Sequence, residues 1–243
     1  MDGKNVVVTG AAGGLGSTIA VTLAKAGAGI AVLDVNAAGA QAIADRVKAA
    51  GGKAVPVVGD ITTREGAHGL FAEAVKAFGR IDGLVNNAGI YPRRPIFEIT
   101  DEEWDASLAV NVRGLYNMTV AAVEHMRPRR EGRIVNIASI DAFKAHPKNS
   151  HYAATKAAVV NLTKTFGLEV APLNILVNAV APGPIATETA KKMGFLPSIE
   201  AETPLGRAAE PEDIAEVVLF LLSSRNRYMV GETVVAAGGY YIP

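Results

Sequence analysis

The chain of 243 residues contains no cysteine, and other features that mark particular protein classes are missing with it. Without thiols neither a disulfide framework nor a thiolate metal site can form, which predicts a reducing compartment, the cytoplasm. Basic and acidic side chains balance at 24 each. No basic stripe runs along a helix, so no nucleic-acid partner is expected.

Long apolar runs are also missing. Two uncharged stretches, Asn5 to Ala24 and Val170 to Thr187, are interrupted by glycine or proline, so no membrane span is predicted. The first strand is expected by about residue 5, which leaves no room for a secretion signal. No metal site is predicted, because the histidines lack ligand spacing; they stand at positions 68, 125, 146 and 151.

Short β-branched runs alternate with longer alanine-rich patterns along the chain. This alternation predicts parallel strands that are buried on both faces and covered by helices on each side. It continues without a break, which predicts a single domain, residues 1–243. The predicted strands are 6–8, 30–33, 54–58, 84–85, 133–138, 175–180 and 233–235, and the predicted helices are 17–26, 38–49, 65–78, 102–126, 152–170 and 212–222.

Two segments allow more than one interpretation. Pro182 to Ala209 lacks periodicity and contains three further prolines, so the segment at about 184–209 is either a substrate lid or a surface loop. A cluster of arginines is either a solvated helix end before a strand or a docking patch for an acidic partner. The cluster consists of Arg127, Arg129, Arg130 and Arg133.

A glycine-rich run follows the first predicted strand and opens the first helix. Glycines at positions 10, 14 and 16 could let backbone N–H groups approach a phosphate, although a tight structural turn would look the same. Asp34 ends the second strand, where its carboxylate could bind both ribose hydroxyls of an adenosine and repel a 2′-phosphate. It could instead merely cap the next helix.

Tyr152 and Lys156 stand four residues apart on a predicted helix, thirteen residues after Ser139. Positions i and i+4 share one helix face, so an ammonium there could sit beside the phenol and favour its ionised form. The pair could then act as one acid/base unit. Chance also produces this spacing, so the pair gains weight only from the other motifs.

The ordered motifs resemble the short-chain dehydrogenase/reductase family, in the subgroup of about 250 residues, over nearly the whole chain. They are the glycine turn from Thr9 to Gly16, Asp34, Asn86 to Gly89, Asn111, Ser139, Tyr152, Lys156 and Pro182-Gly183. The resemblance implies a Rossmann-like, doubly wound parallel sheet of about seven strands. It also implies a homotetramer, with a homodimer as the alternative.

The resemblance also implies roles by position. Tyr152 would be the general acid/base, Ser139 would bind the substrate oxygen, Lys156 would lower the pKa of the tyrosine, and Asn111 would anchor a water. The expected cofactor is NAD rather than NADP, because Asp34 has no basic neighbour. The implied cofactor-binding residues are Gly10, Gly14, Leu15, Gly16, Asp34, Asp60, Ile61, Asn87, Ala88, Gly89, Tyr152, Lys156, Pro182, Gly183, Ile185 and Thr187.

The substrate residues are expected after Gly89, after Ser139 and after Thr187. The stretch after Ser139 is polar, which allows a polar or carboxylate-bearing substrate, or side chains that only face solvent or a subunit interface. Met193, Phe195 and Leu196 would form an apolar lid wall or part of an interface. The candidate substrate residues are Tyr91, Asp141, Lys144, His146 and Met193.

Three functions remain open. The first is an NAD-dependent oxidoreductase that interconverts a secondary alcohol and its ketone. The second is an NADPH-dependent 3-ketoacyl or small-ketone reductase, and the third is a non-catalytic dinucleotide sensor. For the subunit contacts, Leu115, Met118, Val159 and Phe166 are candidate interface positions or ordinary core.

Overall fold

The computed structural model describes residues 1–194 and 196–243. Among these residues, seven parallel strands form one sheet in the order β3-β2-β1-β4-β5-β6-β7. This confirms the predicted doubly wound α/β fold. The strands are β1 (Asn5–Thr9), β2 (Gly29–Asp34), β3 (Lys53–Val58), β4 (Gly83–Asn86), β5 (Gly132–Ile137), β6 (Ile175–Pro182) and β7 (Thr233–Ala236).

Helices cover both faces of this sheet. Successive strand residues point to opposite faces, so Val7 belongs to one core cluster while Val6 and Val8 belong to the other. The sequence runs that are apolar at every position are therefore strands buried on both sides. The helices are α1 (Gly14–Lys25), α2 (Ala37–Ala49), α3 (Arg64–Phe78), α4 (Asp101–Leu108), α5 (Leu115–Met126), α6 (Ser150–Val170), α7 (Glu188–Met193), α8 (Leu196–Glu202) and α9 (Pro211–Leu222).

The strand order places a crevice at the centre of the sheet. β1 pairs with β2 on one side and with β4 on the other, so the chain reverses its winding direction there. Ligands of open α/β sheets bind outside the carboxyl ends of the strands at such a point. The glycine turn and Asn87 both follow strands at this edge.

The predicted long helix 102–126 is interrupted. Six residues, Ala109–Gly114, form a π-helical segment between α4 and α5. A π turn accommodates one extra residue without breaking the helix axis, and no proline marks it in the sequence. The apolar periodicity on each side therefore reads as one continuous helix.

The stretch from Pro182 to Ala209 is not irregular throughout. It contains α7 and α8, and Ile185 pairs with Ala209 in an isolated parallel bridge. Helices of six and seven residues are too short to give a helical repeat in the sequence. Phe195 lies outside the described residues.

The four candidate interface positions are core. Leu115, Met118, Val159 and Phe166 are all buried in the cluster on the α3, α5 and α6 side of the sheet. In the part of the chain that the structure describes, no helix has both the length and the apolar character to cross a bilayer.

Candidate active site

The glycine turn links β1 to α1 in a geometry that side chains would disrupt. Gly10 and Gly14 adopt left-handed backbone conformations, with φ of 63° and 53°. A Cβ on Gly16 would lie 2.2 Å from the carbonyl oxygen of Gly10. The turn thus needs glycine at these positions, and it presents the N-terminus of α1 to the crevice, which suits a phosphate.

Asn87 holds this turn against the end of β4. Its side-chain amide donates to the carbonyl oxygens of Thr9 and Gly10, each at 3.0 Å. In return, the hydroxyl of Thr9 accepts the backbone N–H groups of Asn87 and Ala88 at 3.1 and 3.0 Å. A Cβ on Gly10 would lie 2.7 Å from the Cα of Ala88, so the two segments are in close contact.

Asp34 ends β2 at the rim of the crevice. Its two carboxylate oxygens accept the backbone N–H groups of Ala12 and Asn36, both at 2.9 Å. The cap of α2 is instead Asn36, whose side chain accepts the Gly39 N–H at 3.0 Å. Asp34 is therefore not the helix cap, and its carboxylate is held in place beside the glycine turn.

Asp60 and Ile61 follow β3 on the same edge. The carboxylate of Asp60 accepts both the backbone N–H and the hydroxyl of Thr62 at 2.8 Å, which fixes its orientation. Ile61 is buried, and its side chain packs against Gly114 in the π-helical segment. Both residues line the crevice.

Ser139, Tyr152 and Lys156 meet at the opposite end of the crevice. Ser139 follows β5 and forms a side-chain hydrogen bond with Tyr152, which lies in the first turn of α6. Lys156 is one turn later; its ammonium donates to the carbonyl oxygen of Ile137 at 2.7 Å and lies 5.5 Å from the centre of the Tyr152 ring. The structure thus brings the three residues together.

Burial controls the proton equilibria of this cluster. It raises the pKa of Tyr152, the Asp141 carboxylate raises it further, and the hydrogen bond from Ser139 lowers it. Burial also lowers the pKa of Lys156 to about 8, while Asp141 opposes that shift. Burial thus sets the direction of the Tyr152 shift, because the phenol is removed from water. The lowering of this pKa by Lys156 stays a prediction.

One cavity of about 680 Å³ joins the two ends. All sixteen residues expected to bind the cofactor line it, including Pro182, Gly183, Ile185 and Thr187 on the β6 side. Thr187 caps α7 by accepting the Ala190 N–H at 3.2 Å. The glycines keep this part of the cavity wall free of side chains, and the N-terminus of α1 faces it, so these residues fit a dinucleotide.

Comparison with known proteins agrees with this geometry. A family model described as enoyl-(acyl carrier protein) reductase matches residues 10–241. A short-chain type dehydrogenase/reductase from Mycobacterium marinum has a solved structure that superposes with a TM-score of 0.94 at 35% identity, covering 100% of this chain and 97% of that one.

The chain belongs to the short-chain dehydrogenase/reductase family. Among its relatives are a 3-oxoacyl-[acyl-carrier-protein] reductase of Thermotoga maritima, 37% identical over 100% of this chain and 99% of the relative, and an uncharacterized oxidoreductase of Methylorubrum extorquens, 41% identical over 98% of each. A putative short-chain alcohol dehydrogenase from Sinorhizobium meliloti has a TM-score of 0.94 at 32% identity, covering 99% of this chain and 97% of that one.

Asn111 occupies the π-helical segment in this short-chain dehydrogenase/reductase. Its side-chain oxygen accepts the Ile90 N–H at 2.8 Å, and its amide donates to the Ile90 carbonyl and to the Thr155 hydroxyl at 2.8 and 3.0 Å. The side chain therefore ties the loop after β4 to α6. The side chain does not line the cavity, and the expected contact of Asn111 with a water stays a prediction.

The candidate substrate residues divide into two groups. Tyr91, Asp141 and His146 line the cavity, and the ring of Tyr91 meets that of Tyr152 edge-on at 6.2 Å. Lys144 is not part of the lining; its ammonium contacts Tyr240 instead. The side chain of Met193 lies outside the described part of the structure.

Arg93 and Asn149 line the cavity and lie in the two stretches where substrate residues were expected, after Gly89 and after Ser139. Tyr240 also lines it and was missed from the sequence. Tyr240 follows β7, more than eighty residues from Tyr152. Its only sequence signal is an aromatic pair after two glycines.

The arginine cluster lies away from this site. Arg129 donates to the carbonyl oxygens of His125 and Ile81, and Arg130 donates to that of Pro172. Arg133, at the start of β5, donates to the Asn226 carbonyl at 3.1 Å. Ser139 lies beyond the other end of this six-residue strand, roughly 20 Å away at 3.3 Å per residue.

Proposed function

We propose that this protein is an NAD-dependent oxidoreductase that interconverts a secondary alcohol and its ketone. One observation carries the proposal: Ser139, Tyr152 and Lys156 meet at one end of a cavity that is also lined by Asp34. The first end provides acid/base chemistry, and the second is suited to a dinucleotide with free ribose hydroxyls.

In reduction, negative charge develops on the carbonyl oxygen of the substrate. The hydroxyls of Ser139 and Tyr152 donate hydrogen bonds to that oxygen, and the proton of Tyr152 then moves to it. In oxidation the ionised Tyr152 takes the proton from the alcohol. A bound nicotinamide supplies or accepts the hydride.

Lys156 has two roles in this scheme. While its buried ammonium is charged, it stabilises the ionised Tyr152, because opposite charges at this separation attract. It would also hold the nicotinamide ribose by donating hydrogen bonds. Its bond to the Ile137 carbonyl fixes the ammonium for both tasks.

The preference for NAD rests on Asp34. Its carboxylate is fixed by two backbone N–H groups, so it cannot easily turn away from a 2′-phosphate. The adjacent Val35 is exposed and lines the cavity without offering a charge. A charged hydrogen bond to ribose contributes about 1.5–3 kcal/mol, which corresponds to roughly a ten- to a hundredfold preference for NAD.

The second candidate is a 3-oxoacyl reductase that uses NADPH. It is favoured by the names of full-length relatives, since those of Thermotoga maritima and of Staphylococcus epidermidis, the latter 35% identical, are 3-oxoacyl-[acyl-carrier-protein] reductases. These names support reduction of an acyl substrate more directly than oxidation of an alcohol. Two features oppose the candidate: Asp34 stands against a 2′-phosphate, and three of the four clustered arginines are bound to carbonyl oxygens near the amino end of β5.

One assay separates these candidates. Dinucleotide reduction and oxidation are followed with NAD and NADP separately, against secondary alcohols, polyols, hydroxy acids and 3-oxoacyl thioesters. Turnover of an alcohol with NAD supports the main proposal, and turnover of a thioester with NADPH supports the second. Tight binding of a dinucleotide without turnover of any substrate would indicate a sensor.

We also propose a homotetramer or homodimer in the cytoplasm, as the family resemblance implies. Exposed apolar side chains lie on α4 and α5, namely Trp104, Leu108 and Tyr116. Exposed aromatic residues are enriched at subunit contacts. Sedimentation velocity should give a dimer or tetramer that Trp104→Glu dissociates; a monomeric wild type would contradict this.

A further inference from the structure

The C-terminal tail closes the substrate end of the cavity with Tyr240. Left-handed turns at Gly238 and Gly239, with φ of 60° and 88°, bring the tail back over the site. The Tyr240 ring lies nearly parallel to the His146 ring, with centres 6.1 Å apart. The Lys144 ammonium lies 3.6 Å from the centre of the Tyr240 ring and so holds it by a cation–π contact.

Asp141 orients His146 in this wall. One carboxylate oxygen pairs with Nδ1 of the imidazole, and the other accepts the Asn149 amide at 2.8 Å. Both oxygens of Asp141 are thus engaged by protein groups. The remaining ring nitrogen of His146, Nε2, lies 3.4 Å from the hydroxyl of Tyr240.

The contact between Nε2 and this hydroxyl is long for a hydrogen bond between nitrogen and oxygen. Both residues line the cavity, so Nε2 of His146 and the hydroxyl of Tyr240 can form hydrogen bonds with a substrate bound there. The pairing of Nδ1 with the Asp141 carboxylate holds the imidazole in orientation. When the imidazole carries a proton on both nitrogens, Nε2 and the Tyr240 hydroxyl form a donor pair suited to an oxygen anion.

The electrostatics of this end also favour an anion. Two basic residues, Arg93 and Lys156, are among those that line the cavity. The acidic side chain in the same wall, Asp141, is paired with His146. The hydroxyl of Ser139 accepts the Asp141 backbone N–H at 3.1 Å, so the wall begins beside the residue that would bind the reacting oxygen.

We propose that His146 and Tyr240 form a recognition subsite for a carboxylate on the substrate. The substrate would be a small hydroxy acid or its oxo acid, with the carboxylate a few bonds from the reacting carbon. This inference rests on the proposed function and narrows it. Such a subsite would distinguish a free acid from an acyl thioester, which carries no charge at that position.

The test compares each acid with its uncharged methyl ester in a series of 2-, 3- and 4-hydroxy acids. For the best substrate of the wild type, kcat/KM for the acid should exceed that for the ester by tenfold or more, since charged hydrogen bonds are about twice as strong as neutral ones. This ratio should fall toward one in His146→Gln, and severalfold in Tyr240→Phe. The matched controls, His68→Gln on α3 and Tyr241→Phe in the tail, should keep the wild-type ratio.

A wild-type ratio near one, a preference for the ester, or a ratio that persists in His146→Gln would overturn the inference. A binding measurement tests the carboxylate subsite independently of the proposed function. In Tyr152→Phe loaded with dinucleotide, calorimetry should show tighter binding of the acid than of the ester, whether or not the wild type turns either over. Equal binding would overturn the subsite alone, and unchanged turnover in Tyr152→Phe would overturn the proposed function alone.

Discussion

Replacing Asp34 with asparagine tests how the protein distinguishes the two dinucleotides. The carboxylate accepts two backbone N–H groups, from Ala12 and Asn36. An asparagine oxygen can keep one of these bonds, whereas its amide group would face the other N–H as a second donor. The substitution therefore removes both the negative charge and half of the anchoring.

The magnitude follows from the charge. A charged hydrogen bond to the ribose contributes about 1.5–3 kcal/mol, and a neutral one about 0.5–1.5 kcal/mol. NAD should lose affinity by that difference, while NADP gains because the like-charge contact with its 2′-phosphate disappears. The ratio of kcat/KM for NAD to that for NADP should accordingly fall at least tenfold.

The assay measures initial rates with both dinucleotides at a fixed substrate concentration for the wild type and the variant. Asp45→Asn on the outer side of α2 is the matched control, because it makes the same change far from the cavity and pairs only with neighbouring side chains. An Asp34→Asn protein that is folded by circular dichroism and keeps the wild-type ratio would refute the reasoning. So would a wild type that prefers NADP.

Two further predictions concern Lys156 and the glycine turn. The pKa of Lys156 is lowered to about 8 by burial, so the ammonium is present below that pH and is lost as the pH rises through it. Dinucleotide affinity measured by fluorescence titration should fall above pH 8, and Lys156→Arg should flatten this profile because guanidinium stays charged; a pH-independent wild type would contradict this. In the glycine turn, Gly16→Ala should lower the free energy of unfolding by about 1–3 kcal/mol, since its Cβ would lie 2.2 Å from the Gly10 oxygen. Gly13→Ala, whose Cβ meets nothing within 4 Å, should melt near the wild-type temperature; equal effects of the two substitutions would show that the close contact is not what matters.

Much of the fold could be predicted from the sequence because its signals are local. The runs 6–8 and 175–177 are apolar at every position, as is typical of strands buried on both faces. The glycine turn and the spacing of Tyr152 and Lys156 are also local. These signals place the cofactor end and the acid/base cluster at the same edge of the sheet.

The features that could not be predicted from the sequence depend on contacts between segments that are distant in sequence. The π segment around Asn111 is set by bonds to Ile90 and Thr155, and the contribution of Tyr240 depends on how the tail turns back over the site. The arginine cluster was ambiguous because charge alone does not show that Arg129 donates to carbonyl oxygens. The burial that raises the pKa of Tyr152 could not be predicted either, since the spacing indicates the nearby lysine and not the removal of the phenol from water.

The most direct test of the account is the turnover of Tyr152→Phe, which removes one hydroxyl and leaves the ring beside Tyr91. Positioned proton transfer contributes about 10²–10⁴-fold, so kcat should fall at least a hundredfold while the dissociation constant for NAD stays within a few-fold of the wild type. A variant that binds NAD and retains more than about a tenth of the wild-type kcat would contradict the assignment of Tyr152 as the general acid/base.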